Sequence, residues 1–105
     1  MQNIIKGSIV RLKDRGESHV VLDWENDRLR LARLIHVSNP REWVREDHST
    51  FESVFALKRG DRILHISNLE GIKLVVLYVG LDYAMALEAL VVPRSAVVHV
   101  ESDQL

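Results

Sequence analysis

Short runs of aliphatic and β-branched residues, separated by turn residues at close intervals, constrain the fold of this chain most strongly. The run Ser8–Lys13 alternates apolar and basic residues, which is the period-two pattern of a half-buried strand. Residues 14–16 read Asp-Arg-Gly and have turn chemistry. Ser18–Trp24 then supplies the β-branched and aromatic residues that fit a pleated surface. We therefore predict a β-hairpin in the first quarter of the chain.

A second hairpin is predicted directly after the first. The polar residues 25–27 separate two apolar runs, which is the usual mark of a hairpin loop. The following segment, Arg28–Ser38, begins by alternating arginine and leucine. The alternation slips at Ala32-Arg33, which predicts a β-bulge at that point of the strand. A short helix is the alternative, because leucine and isoleucine in this segment also match a helical stripe.

The segment 40–60 is the part in which short helices are expected. Asn39-Pro40 matches a helix cap followed by proline at the first helical position, and predicts a helical turn through Trp43 and Val44. Ser49 and Glu52 have the spacing of a capping box. They predict a helix of about two turns over 51–58. A strand over 53–58 remains the alternative.

The last third of the chain again has strand character. Arg62–Ser67 and Ile72–Val79 flank a polar loop, Ala84–Val92 ends on β-branched residues, and Ala96–Val100 follows a proline. We predict one all-β domain over residues 1–105, with minor α content. The predicted architecture is a small SH3-like or Sm-like barrel of five or more short antiparallel strands, with one or two short helices in 40–60. Closure into a barrel would remove exposed strand edges.

Composition excludes several classes of protein. The chain has 105 residues, no cysteine and a formal net charge of −1, so it contains no disulfide, no thiolate nucleophile and no cysteine-type zinc site. This balance also argues against a strongly basic nucleic-acid binder. The first thirteen residues lack the apolar core of a secretory signal, and Leu74–Val92 contains Asp82 and Glu88. We expect a cytoplasmic protein with no membrane span.

Catalytic and metal-binding motifs are absent from the sequence. The five histidines are scattered singly, and none forms the spaced pair that a zinc helix motif needs. The five glycines are isolated, so no phosphate loop is present. Ser8, Ser18 and Ser67 lack the glycines of a nucleophile elbow. We therefore predict no catalytic residue, no metal and no cofactor, and expect a protein that is not an enzyme.

Arginine is concentrated near the second hairpin. Arg28, Arg30 and Arg33 lie on one side of the loop, and Trp24 lies on the other. Guanidinium groups bind phosphate through paired hydrogen bonds, and an indole ring offers a surface on which bases stack. The alternative is that these arginines form the solvated face of an amphipathic strand. Both interpretations remain open from the sequence.

Two segments carry a resemblance to the Sm-like family of small RNA-associated barrels. GSIVRLKDRGESHVVLDWENDRLRLARL resembles the first motif of the family, and VVPRSAVVHV is similar to the second. The resemblance implies a barrel that assembles into rings and binds RNA. It places Asn26 or Asp27 at the hairpin position where the family reads a base, and Arg94 near the Arg-Gly turn of the second motif. The segment Pro93-Arg94-Ser95 lacks that glycine.

The sequence thus leads to three functional hypotheses. The first is a non-enzymatic, homo-oligomeric module that binds RNA; its candidate contacts are Trp24, Asn26, Asp27, Arg28, Arg30 and Arg94. Self-association is expected because the strand Val75–Val79 and the run 84–92 present more apolar surface than one small barrel hides. The second is a protein–protein interaction module without a nucleic-acid role. The third is a ribonuclease toxin similar to the PemK type, although the Arg-Pro pair of that family is missing at Ser18–Val21.

Overall fold

The computed structural model describes residues 4–100 and contains only strands, turns and short 3₁₀ segments. The strands are β1 (Ile9–Leu12), β2 (Ser18–Glu25), β3 (Arg28–Val37), β4 (Trp43–Arg45), β5 (Arg62–His65), β6 (Leu74–Val79), β7 (Ala84–Pro93) and β8 (Val97–His99). The all-β prediction is confirmed. Over the described part of the chain, no helix is long and apolar enough to cross a membrane.

The strands form one antiparallel sheet, in the order β4-β5-β6-β7-β3-β2-β1-β8. This order begins at β4 and ends at β8, so among residues 4–100 the sheet does not close into the barrel that the sequence predicts. Closure requires the two end strands to bond to each other. The apolar residues instead divide into two clusters, each within its own compact unit. The two units are described in turn.

The first unit contains the described residues 4–33 and 89–100. Alternating residues of β1, β2 and β3 point into its core, which is made of Val10, Leu12, Val21, Leu29, Leu31 and Val97. Strand β1 lies between β2 and β8 and pairs with both in antiparallel register. His19 pairs with Val10 across the β1–β2 ladder, and both side chains are buried on the same face of the sheet. Two-residue periodicity in β1 therefore predicts the buried face correctly.

The second unit is Leu34–Glu88. Its core is made of Val37, Trp43, Phe51, Val54, Leu57, Ile63, Leu74, Val76, Ala84 and Ala86. Strand β4 pairs with β5, β5 with β6, and β6 with β7, each in antiparallel register. The strand predicted at 84–92 is confirmed, because β7 covers Ala84–Pro93.

The β2–β3 hairpin contains a bulge, but on the strand opposite to the predicted one. Val21 pairs with Leu31, and the next pair is Asp23 with Arg30, so β2 has one extra residue, Leu22. The sequence places the bulge at residues 32–33 of β3. In the structure, the slip in alternation there arises because Ala32 is buried on the face opposite to Leu31. Burial on both faces breaks the pattern in β3.

Segment 40–60 contains short helical turns, as predicted, but no two-turn helix. A 3₁₀ turn at Pro40–Glu42 is capped by Asn39, whose side chain accepts a hydrogen bond from Arg41 N, and the strand β4 follows immediately. A second 3₁₀ turn covers Val54–Ala56 and is capped by Ser53 rather than by Ser49. Phe51, Val54 and Leu57 are buried at a spacing of three residues. This spacing matches the three residues per turn of a 3₁₀-helix rather than the 3.6 of an α-helix.

Candidate nucleic-acid interface

The loop of the β2–β3 hairpin brings together several residues singled out from the sequence. It consists of Asn26 and Asp27, because Glu25 pairs with Arg28. Asn26 has a positive φ of 56°, a conformation that asparagine tolerates better than most residues. The carbonyl of Asp27 accepts a hydrogen bond of 2.8 Å from the backbone N–H of Arg94. The two segments that carry the Sm-like resemblance are therefore in contact at the hairpin tip.

The register of the hairpin assigns its side chains to two faces. Directly opposed residues share a face, so Asp23 lies beside Arg30, and Glu25 lies beside Arg28. Since side chains alternate along a strand, Arg28 and Arg30 point to the same side, as the sequence predicts. Trp24 pairs with the buried Leu29, so these two side chains share the face that is turned away from Arg28 and Arg30. The Trp24 side chain is 41% exposed.

A cavity of 780 Å³ lies at this end of the hairpin, within the first unit. Its lining combines an aromatic ring, an amide, three acidic and three basic side chains and one aliphatic residue: Lys6, Asp23, Trp24, Glu25, Asn26, Asp27, Arg28, Arg30 and Val91. The volume lies in the range of sites that hold small organic ligands. Five of the six predicted RNA-contacting residues line it, and Arg94 contacts it through the backbone of Asp27.

Arg30 is already engaged by a carboxylate. Its Nε donates to Asp23 Oδ1 at 3.0 Å, and its Nη2 donates to the other carboxylate oxygen. The hydrogen bonds from Arg30 lower the pKa of Asp23, and the same pairing raises the pKa of Arg30. This pairing through two hydrogen bonds has the same geometry as the bidentate binding of phosphate by arginine. A phosphate would have to displace Asp23 before it could contact Arg30.

Two other cations of the cavity are not held in a direct ion pair of this kind within the described part of the chain. Within residues 4–100, Lys6 and Arg28 form no salt bridge and no side-chain hydrogen bond. Lys6 is positioned by its neighbours, because Gly7 N donates to Val21 O at 2.8 Å and Val21 N donates to Ser8 O at 2.9 Å. These two bonds extend the ladder beside β2 and bring the segment before β1 to the cavity.

Sequence reasoning missed part of this lining. Lys6, Asp23, Glu25 and Val91 line the cavity but were not among the predicted site residues. The acidic residues could have been found, because alternation along β2 and β3 places them on the face of the arginines. Lys6 and Val91 could not, since their positions depend on contacts between segments distant in sequence. Among the described residues, no group of three or more potential ligands is placed to hold a metal ion.

The pairing of Asp23 and Arg30 gives a pH-dependent prediction. Replacing Arg30 with glutamine removes the donors that lower the pKa of Asp23, so the midpoint of its titration should rise toward the ordinary aspartate value of 3.8. A carboxyl with a depressed folded-state pKa stabilises the fold above the unfolded pKa and loses that effect as pH falls through its folded pKa. The pairing therefore acts above about pH 4. NMR titration of the Asp23 side chain measures the shift, and an unchanged midpoint in Arg30→Gln would contradict it.

Comparison with known proteins identifies no relative that shares this site. A scan against protein-family models, a search of curated proteins and a search of solved structures each find no match to the chain. The function is therefore inferred from the site itself.

Proposed function

We propose that the chain is a binding module that takes a short segment of single-stranded RNA at the hairpin cavity. The observation that carries the proposal is the composition of the cavity: its lining contains an exposed indole, Trp24, and two cations that form no salt bridge among the described residues, Lys6 and Arg28. Aromatic rings stack with bases of any sequence, and arginine and lysine contact phosphate. Binding of this kind requires no bond to be broken.

Each part of the cavity has a role in this proposal. Trp24 supports one base by stacking, and Arg28 and Lys6 contact the phosphates on either side of it. The Asn26 amide offers both donors and an acceptor to the edge of the base. The three acidic residues of the lining balance the three basic ones. The affinity should therefore depend on stacking more than on charge.

Salt dependence of RNA affinity tests the proposal directly. For single strands, the slope of log affinity against log salt is about −0.7 for each phosphate contact. Two contacts, from Lys6 and Arg28, predict a slope of about −1.4, and Arg28→Gln should reduce it to about −0.7. Fluorescence anisotropy of a labelled oligouridylate at several salt concentrations measures both values. Arg30→Gln should change the slope little, because Asp23 already holds that guanidinium.

Arg59→Gln is the matched control, since Arg59 is exposed, belongs to the second unit and makes no salt bridge within residues 4–100. It should leave both affinity and slope unchanged. The proposal fails if the parent protein does not bind the oligonucleotide at low salt. It also fails if Arg28→Gln and Arg59→Gln weaken binding equally, because the contact would then be unspecific charge.

A protein–protein interaction module is the second candidate, and the second unit favours it. Several large apolar side chains of that unit are exposed: Leu34 by 57%, Tyr78 by 53%, Leu77 by 42% and Leu81 by 83%. Leu77 and Tyr78 belong to β6, the strand whose apolar character predicts self-association. The neutral lining of the hairpin cavity is compatible with this function as well. Absence of RNA binding together with a concentration-dependent oligomeric mass would favour it.

A further inference from the structure

Four polar side chains of the second unit form a connected chain at the end of β5. Ser67 Oγ lies 2.6 Å from Nδ1 of His65. On the other side of the ring, Nε2 lies 3.9 Å from Oε2 of Glu42. The other carboxylate oxygen, Oε1, accepts a hydrogen bond of 3.3 Å from Nδ2 of Asn39. A hydroxyl, an imidazole and an oriented carboxylate therefore follow one another in the order that nucleophilic catalysis uses.

Strand pairing assembles this array from two separate segments. Trp43, the first residue of β4, pairs with His65, the last residue of β5, and the edge of one ring meets the other at 5.0 Å between centroids. Ile66 N donates to Glu42 O at 2.9 Å, which fixes the carboxylate-bearing residue beside the histidine. Asn68 N donates to His65 O at 3.0 Å and turns the chain so that Ser67 folds back onto the ring.

The hydrogen bonds define the direction of proton transfer. The backbone N–H of Ser67 donates to Nδ1 of His65 at 3.2 Å. An N–H group can only donate, so this bond assigns Nδ1 as the unprotonated nitrogen, and the Ser67 hydroxyl then shares the single Nδ1 lone pair with the Ser67 N–H. The ring hydrogen is then on Nε2, facing Glu42. The imidazole is thereby set to accept the hydroxyl proton of Ser67 while the carboxylate stabilises the cation that forms.

We propose that Ser67 is the nucleophile of an esterase-like acyl-transfer site, with His65 as its general base and Glu42 as a positioning residue. Ser67 is an exposed residue, which leaves this loop open to a substrate. Three apolar side chains near Ser67 in the sequence are exposed: Ile66 by 50%, Leu69 by 40% and Ile72 by 38%. An apolar loop next to the nucleophile favours the ester of an apolar acid. The separation of 3.9 Å is compatible with catalysis, because such contacts are often longer without substrate.

The reaction proceeds by two balanced steps. Ser67 Oγ forms a bond to the carbonyl carbon of the ester as its proton moves to His65 Nδ1. The bond from that carbon to the alkoxide then breaks, and the same proton leaves with the alcohol. Water attacks the acyl group on Ser67, His65 takes one proton from the water, and that proton returns to Ser67 Oγ as the acid departs.

Backbone donors for the developing oxyanion are available in the same loop. Within residues 4–100, the N–H groups of Leu69 and Glu70 make no hydrogen bond. They are the second and third amides after that of Ser67. Amides that point at a developing oxyanion stabilise a tetrahedral intermediate, because they meet the negative charge as it forms.

Labelling with a fluorophosphonate probe tests the nucleophile without knowledge of the natural ester. Ser67 should be phosphonylated, as shown by the mass of the intact protein and of its peptides, and Ser67→Ala should abolish the adduct. His65→Gln should slow labelling by about 100-fold, the lower range for loss of a general base. Ser38→Ala is the matched control: Ser38 is exposed, lies outside the array, and should be irrelevant to labelling.

Hydrolysis of p-nitrophenyl butyrate tests the roles of the other two groups. The parent should cleave the butyrate faster than the acetate, because the apolar loop contacts the longer acyl chain. Glu42→Gln should lower kcat while KM stays unchanged, since Glu42 acts through His65 and does not touch the substrate. Leu69→Ala should instead raise KM. A merely structural role of Glu42 would change both constants together with the thermal midpoint.

Three results would overturn the proposal. The first is the absence of an adduct at Ser67 in the folded parent protein. The second is labelling at the same rate in His65→Gln, which would mean that the imidazole does not activate the hydroxyl. The third is adduct formation at other serines to the same extent, which would show ordinary surface reactivity. Circular dichroism of each variant identifies any loss of fold, and Ser67→Ala is expected to keep its fold because the side chain is exposed.

Discussion

Replacing Leu29 with alanine is expected to lower the free energy of unfolding by roughly 2–5 kcal/mol, the range for truncating a buried leucine. Leu29 has no exposed surface and packs among the apolar residues of the first unit. Its loss removes buried apolar area and leaves a cavity that the surrounding strands fill only in part. Urea denaturation followed by circular dichroism measures the change, with the midpoint shifting at an unchanged slope.

Leu81→Ala is the matched control for that experiment. The chemical change is identical, but Leu81 is 83% exposed, so the effect should stay within about 0.5 kcal/mol. Equal effects of the two substitutions would mean that Leu29 does not anchor the core. A smaller denaturant slope in Leu29→Ala would instead show a change in the unfolded state or a loss of two-state behaviour.

Trp24→Ala is expected to weaken RNA binding by about 1–3 kcal/mol, which corresponds to a loss of affinity of about 5- to 150-fold. Among residues 4–100, the indole is the only aromatic group in the lining of the cavity, and it is 41% exposed. Without it, a base would lose its stacking surface while the contacts of Arg28 and Lys6 remain. The affinity should therefore fall while its salt dependence stays unchanged, in contrast with Arg28→Gln.

Two further variants make this prediction specific. Trp24→Phe keeps an aromatic face and should retain part of the affinity, whereas Tyr78→Ala removes an exposed aromatic ring from the second unit and should leave RNA binding unchanged. Intrinsic fluorescence gives an independent measurement, because the other tryptophan, Trp43, is only 9% exposed. Undiminished affinity in Trp24→Ala would exclude stacking at this site. A large fall in thermal stability would show that the ring mainly covers Leu29.

Most of the strands and the core positions of β1 follow from local sequence patterns. Alternation in Ser8–Lys13 predicts β1, the β-branched end of Ala84–Val92 predicts β7, and the polar residues after Trp24 predict the hairpin loop. These predictions succeed because side-chain burial repeats every two residues along a strand, so the pattern is carried by near neighbours. The same periodicity correctly places Arg28 and Arg30 on one face.

The segment 40–60 shows where local signals mislead. The spacing of Ser49 and Glu52 predicts a helix, but the chain forms one 3₁₀ turn after Ser53. Trp43 is predicted within a helical turn, yet it begins β4 because it pairs with His65. Capping signals describe which helix ends are favourable. They carry no information on the free energy gained when three apolar residues pack into a core formed by distant strands, and here that packing overrides the local helix preference.

By itself, the sequence determined the class of the fold, the hairpin at residues 25–28 and five of the residues that line the cavity near it. Tertiary structure alone decided that the sheet stays open, that the apolar residues form two clusters, and that Arg30 is held by Asp23. It also decided that Glu42, His65 and Ser67 meet. The physical reason is range: periodicity and turn chemistry act over a few residues, whereas these contacts depend on strand register and on which segments pack together.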